Sequence, residues 1–125
     1  MTWNDIQYFK PVEFDSPDKR GSGYGMDLVF VKKLDQVREF CGFPLIIHSG
    51  YRTAEHNAKV GGVDSSAHEL GYAADIRALA SSTRCKLIEA AFLAGINRIG
   101  IGRTFVHLDA DPSKPRGVIW LYGAG

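Results

Sequence analysis

The chain has 125 residues, 45% of them hydrophobic and 23% charged, the make-up of one ordinary globular domain that can bury a core without disulfides. Fifteen basic residues against fourteen acidic ones leave a formal charge of +1, so no basic field attracts nucleic acid or anionic lipid. No stretch reaches the ~18 apolar residues of a membrane span, and the opening MTWNDIQYFKPVEF has no basic head followed by an apolar run, so no secretory signal is expected.

A single domain over 1–125 is expected, with residues 1–23 an irregular segment punctuated by Pro11, Pro17, Gly21 and Gly23. Met26, Val29, Phe30, Leu34, Val37 and Phe40 recur at helical spacing and Gly42 stops the run, which predicts a helix. Pro44–His48 reads as a short buried strand. Residues 50–66, rich in Gly, Asn, Asp and Ser, form a long loop with one helical turn near Ala54–Lys59. Tyr72–Arg77 is a second strand. Ser81 or Ser82 caps a helix running through Leu87, Ile88, Ala91 and Phe92 to Gly95. Three β-like runs follow: Asn97–Ile101, Thr104–Asp109 and Val118–Tyr122. Without a regular βαβ alternation, the expected class is α+β, a small antiparallel sheet with flanking helices. Cys41 and Cys85 are expected to be free buried thiols.

Four histidines occur, at 48, 56, 68 and 107, and the neighbours single out two. His68 ends the polar loop, in Ser66-Ala67-His68-Glu69-Leu70-Gly71. Asp75 lies inside the apolar run Ala73-Ala74-Asp75-Ile76, where a carboxylate needs a cation or a metal. His107 sits among Phe105, Val106 and Leu108. Two imidazoles and one carboxylate suit Zn²⁺ with a fourth position open for water. A His–Asp hydrogen bond in the core is the alternative, and it uses only one of those histidines. His68-Glu69-Leu70-Gly71-Tyr72 begins like the helical metalloprotease motif, but Tyr72 replaces its second histidine and Gly71 opposes a helix. Glu69 therefore reads as a solvated side chain.

Four pieces in order carry a resemblance: Ser49-Gly50-Tyr51-Arg52, Glu55-His56-Asn57, Ser66-x-His68-x-x-Gly71-x-Ala73-x-Asp75, and Phe105-Val106-His107-Leu108-Asp109. Together they resemble the zinc D-Ala-D-Ala carboxypeptidase and murein endopeptidase family, which shares the hedgehog/DD-peptidase fold, and the likeness is to its small phage and bacterial single-domain members. It runs from about residue 24 to the C-terminus. The resemblance implies His68, Asp75 and His107 as zinc ligands. It implies Arg52 as a catalytic and substrate-binding residue whose planar guanidinium holds carboxylate or carbonyl oxygen, and Ser66 as a substrate-side hydroxyl or an ordinary loop serine. Where many members carry an acidic general base this chain has Thr104, and Phe105 stands where others have a second histidine. Asp109, two residues after His107 on the same strand face, is the catalytic candidate, with a ligand-orienting role and a structural salt bridge as alternatives.

The function so implied is hydrolysis of D-amino-acid peptide bonds in bacterial peptidoglycan, a phage endolysin being one such setting. The partner is the peptidoglycan stem peptide, with no nucleic acid and no membrane span, and the chain is expected to act as a monomer. It would be made in the cytoplasm and released to the wall by other means. The alternative is a zinc-containing wall-binding or virion module with impaired catalysis.

Overall fold

A computed structural model describes residues 1–123. In chain order its main elements are α1 (Leu28–Cys41), β1 (Ile47–Ser49), α2 (Ala54–Lys59), β2 (Ala73–Arg77), α3 (Ser81–Leu93), β3 (Arg98–Ile101), β4 (Phe105–Asp109) and β5 (Val118–Leu121). Ahead of α1, three short 3-10 helices cover Trp3–Asp5, Pro11–Phe14 and Ser22–Gly25, so the segment expected to be irregular is a chain of tight turns.

The first helix begins where Asp27 accepts a hydrogen bond from the Phe30 amide, and it ends at Gly42, whose φ of 74° is the left-handed conformation glycine adopts without strain. Its buried stripe is Phe30, Val31, Leu34, Val37 and Cys41, while Val29 and Phe40 from the predicted stripe face solvent. The third helix starts one residue earlier than a serine cap requires. Ala80 occupies the capping position without a side-chain bond, and Ser81 is the first helical residue. Of the two thiols, both free, Cys41 is buried as expected and Cys85 is exposed on α3.

The five strands order as β1-β2-β4-β3-β5. Every pair is antiparallel except β3–β5, which is parallel. The exception follows from chain path: β4 ends beside the start of β3, and the 110–117 connection reverses direction while stepping over that end. The α+β class is thus observed, with a mixed sheet in place of a purely antiparallel one.

Strand alternation divides the sheet into two faces. Ala74 and Ile76 of β2, Ile99 of β3, and Val106 and Leu108 of β4 join α1 and α3 in one core with Phe30, Leu34, Val37, Leu87 and Ala91. Each large side chain so buried contributes about 1.5–3 kcal/mol. The opposite face carries Asp75, His107, Asp109, Arg98 and Gly100, the alternate residues of the same strands. Phe14 is fully buried, and Ile6 and Phe9 join the same core, so the N-terminal turns belong to the domain. No described helix is long and apolar enough to cross a membrane.

Candidate metal centre and active site

His68 reaches the site from a turn. Glu69 and Leu70 amides both bond to the Ser66 carbonyl, and Gly71 closes the turn at φ 83°, where a Cβ would lie 2.3 Å from the Gly25 carbonyl oxygen. The segment is a turn, consistent with Gly71 opposing a helix in the sequence. Asp75 and His107 then stand directly opposite each other on β2 and β4.

Three ligand atoms converge. His68 Nε2 lies 3.3 Å from Asp75 Oδ1 and 3.2 Å from His107 Nδ1, and His107 Nδ1 lies 2.9 Å from Asp75 Oδ1. All three residues are buried. A tetrahedral ion with bonds of ~2.0–2.1 Å has ligand–ligand edges of about 3.3–3.4 Å, so the triangle is close to the right size.

Proton placement gives a second test of fit. His68 Nδ1 is 2.8 Å from the Gly50 carbonyl, which can only accept, so that nitrogen carries the hydrogen and Nε2 presents its lone pair. His107 Nε2 is 2.8 Å from Asp109 Oδ2, which likewise takes a hydrogen and turns the Nδ1 lone pair inward. Two imidazole lone pairs and a carboxylate oxygen thus point at one spot, an arrangement completed by a cation. Without a metal, a single proton on His107 Nδ1 faces the two remaining acceptors, Asp75 Oδ1 and His68 Nε2. Burial pushes the His107 pKa down, but hydrogen bonds to Asp109 and Asp75 outweigh it and the net shift is upward. Burial alone would raise Asp75, yet the bonds from His107 and His68 hold its carboxyl well below the usual range.

Outside the triangle, Arg52 spreads its guanidinium over Ser49 Oγ at 3.1 Å, Asn57 Oδ1 at 3.3 Å and Asp75 Oδ2 at 3.4 Å. Its backbone amide bonds the His68 carbonyl at 3.1 Å, which ties the two loops together. The flanking residues are held by the N-terminal turns: Tyr51 N donates to Phe14 O, and Thr53 bonds Ser16 and Asp18. Ser66 is buried, its hydroxyl donating to Asn57 Oδ1 at 3.0 Å while lining the cleft. Asp109 is buried too. Besides His107, it accepts from Arg98 Nε at 2.6 Å and the Asp111 amide at 3.2 Å. Burial raises its pKa, but the bonds from His107 and Arg98 lower it further than that.

A cleft of about 500 Å³ opens over these groups, lined by Arg52, Ser66, His68, Asp75, His107, Asp109 and, from β5 and the residue after it, Trp120 and Tyr122. Phe105, Arg98 and Lys114 complete much of its wall. His48 is exposed on β1, and His56 sits on α2 beside a separate hollow with Asp18 and Glu55. Thr104 is exposed and, like Glu55 and Glu69, lies outside the lining of the main cleft. Glu69 is partly buried and accepts from Asn57 Nδ2 at 3.3 Å, so it is less solvated than its sequence context suggests.

Sequence reasoning missed the work of Asn57. Buried at 2% exposure, it links Arg52, Ser66, Glu69 and the Val63 carbonyl. Its place in the Glu55-His56-Asn57 motif was the available signal. Trp120, Tyr122, Arg98 and Gly100 were also passed over, since no local motif marks them.

No curated protein matches the sequence. The sequence profile described as Peptidase M15 matches residues 8–109, well over half of the chain. That match opens sixteen residues before the point at which the motif resemblance begins, and it takes in the turns that brace the Arg52 loop. With a His-Asp-His cluster able to hold a metal on one face of an α+β fold, this chain belongs to the peptidase M15 family.

Proposed function

We propose that the protein is a zinc metallopeptidase that hydrolyses D-amino-acid-containing peptide bonds of bacterial peptidoglycan. The observation carrying this reading is the convergence of three lone pairs from His68, Asp75 and His107 at the floor of an open cleft. Zinc held there would supply a Lewis acid for the scissile carbonyl and acidify a water.

The chain's own residues do the rest. Gly50 O and Asp109 fix the two imidazole tautomers through the ring nitrogens that face away from the metal position. Arg52, anchored by Ser49 and Asn57, presents a permanent positive charge beside Asp75, placed to stabilise negative charge developing on the substrate carbonyl oxygen. Ser66 holds Asn57 in that network and offers its oxygen to the cleft. Asp109 is the carboxylate nearest the ligands that is not itself one. We assign it the orientation of His107, with proton transfer as the competing role.

The protein would act on the wall from outside the membrane, as a lysin released by a phage does. The test is incubation of the zinc-loaded protein with purified sacculi, followed by mass spectrometry of the released peptides. Cleavage at a D-amino-acid bond, abolished by a chelator and restored by zinc, is the expected result. One observation favours a second reading, a zinc-containing module that binds wall peptide with impaired turnover: both oxygens of Asp109 already have partners. Sedimentation with sacculi without peptide release would establish it.

A further inference from the structure

Strand register places Ser49, Asp75, His107, Gly100 and Trp120 in one row across all five strands. Residues in such a row share a face, with about 4.8 Å between strands. The row therefore runs from the Arg52 loop, through two metal ligands, to the free edge at β5.

Gly100 is the gap in that row. A Cβ there would lie 2.6 Å from Trp120 Nε1 and 2.6 Å from Tyr122 Cε2. Its absence lets both rings fold inward from the edge, until their centres stand 5.3 Å and 6.3 Å from that of His107. Phe105 abuts Tyr122 at 5.0 Å, and the Arg98 guanidinium lies 5.2 Å from the Trp120 ring while bonded to Asp109. The Trp120 and Tyr122 rings meet edge to face, 6.4 Å between centres.

Folding does not account for this cluster. The apolar core lies on the other face of the sheet, and Tyr122 remains 41% exposed. Aromatic surface left open beside converging polar groups is the make-up of a ligand site.

The geometry points to Trp120 and Tyr122 as the residues that bind the substrate peptide on the side of the metal centre away from Arg52. The indole lies against the flat amide and its small aliphatic side chain, and the Tyr122 hydroxyl donates to a peptide carbonyl oxygen. This assignment rests on the peptidase reading above.

Trp3 and Trp120 are the two tryptophans of the chain, so Trp3→Phe makes Trp120 the sole indole reporter. In that background, the zinc-loaded protein is mixed in stopped flow with a stem peptide ending in D-alanyl-D-alanine, and cleavage is followed in parallel. A saturable change in Trp120 emission is expected, with a midpoint close to KM. Tyr122→Phe should raise KM about threefold to tenfold, and Trp120→Ala more, with kcat changed less than KM and bound zinc unchanged. Gly100→Ala should alter the emission before peptide is added and raise KM as well. If the parent cleaves the peptide while the variants keep its KM and the emission ignores the peptide, the assignment is overturned. If the zinc-loaded parent shows the saturable emission change but no cleavage, the peptidase reading fails and the aromatic wall stands as a binding surface. If it shows neither, both fall.

Discussion

His107 stands between two carboxylates, Asp75 at Nδ1 and Asp109 at Nε2, and this double contact decides what single substitutions should do. Asp109→Asn replaces an oxygen pair that only accepts with a group that also donates, so His107 loses its enforced tautomer. Zinc affinity, measured by competition with a chromophoric chelator, should fall by about 10–100-fold. Turnover recovered at saturating zinc would assign Asp109 to orientation, whereas turnover lost with affinity intact would assign it the proton. Arg52→Lys keeps a charge but cannot reach Ser49, Asn57 and Asp75 together, because an ammonium lacks the planar fork. Most hydrolysis of wall peptides should disappear while zinc content stays at the parental level. Undiminished kcat/KM in that variant would remove Arg52 from the mechanism.

At the scale of elements, the N-terminal turns are braces for the site. The Asp35 carboxylate, buried on α1, accepts the Gln7 and Tyr8 amides at 2.6 and 3.0 Å. The Phe14 carbonyl then holds the Tyr51 amide at 2.9 Å, next to Arg52. Asp35→Ala would strand two amides away from good partners, a loss of about 2 kcal/mol or more in denaturant unfolding. Phe14→Ala, which empties a fully buried ring position, should cost about 3–5 kcal/mol. It should also depress turnover in the molecules that stay folded, because the Arg52 loop loses its backing. A Phe14→Leu variant that recovers both stability and activity would confirm that packing is the cause.

For the whole molecule, a metal held by His68, Asp75 and His107 would couple binding to folding. Zinc at a hundredfold excess over its Kd should add about 2.7 kcal/mol, a rise of about 10 °C in Tm for a domain of this size. The metal-free protein has a pH dependence of its own. Burial lowers the His107 pKa, but its carboxylate partners raise it further, so its contribution is complete below about pH 6.5 and is lost as pH rises through the folded value. Asp75 and Asp109 are depressed despite burial, so theirs are complete above about pH 4 and are lost as pH falls. Chelated protein should therefore melt at a higher temperature near pH 6 than near pH 8. Since zinc needs deprotonated ligands, the extra Tm that zinc confers should grow over the same interval. A zinc increment independent of pH would mean that the metal sits elsewhere.

Much of this was legible in the chain itself, where the information is local. A carboxylate and a histidine each set in an apolar run marked Asp75 and His107, because an unpartnered polar group there is too costly to bury. Gly42 as a helix stop and Gly71 as a break against a helix were readable because positive φ depends on nearest neighbours alone, whereas the Asp27 cap emerged only in the structure. What remained hidden depends on register and on contacts between distant segments. The row from Ser49 to Trp120 exists because five strands pair in one alignment, and a slip of one residue would turn Asp75 into the core. The hydrogen bonds that fix both imidazole tautomers, the hub at Asn57 and the rings folded over Gly100 join residues that no short window contains. Side-chain alternation and turn chemistry are written residue by residue, but which strands lie side by side is decided by how the helices and sheet bury their apolar faces together, and the cleft takes its shape from that packing.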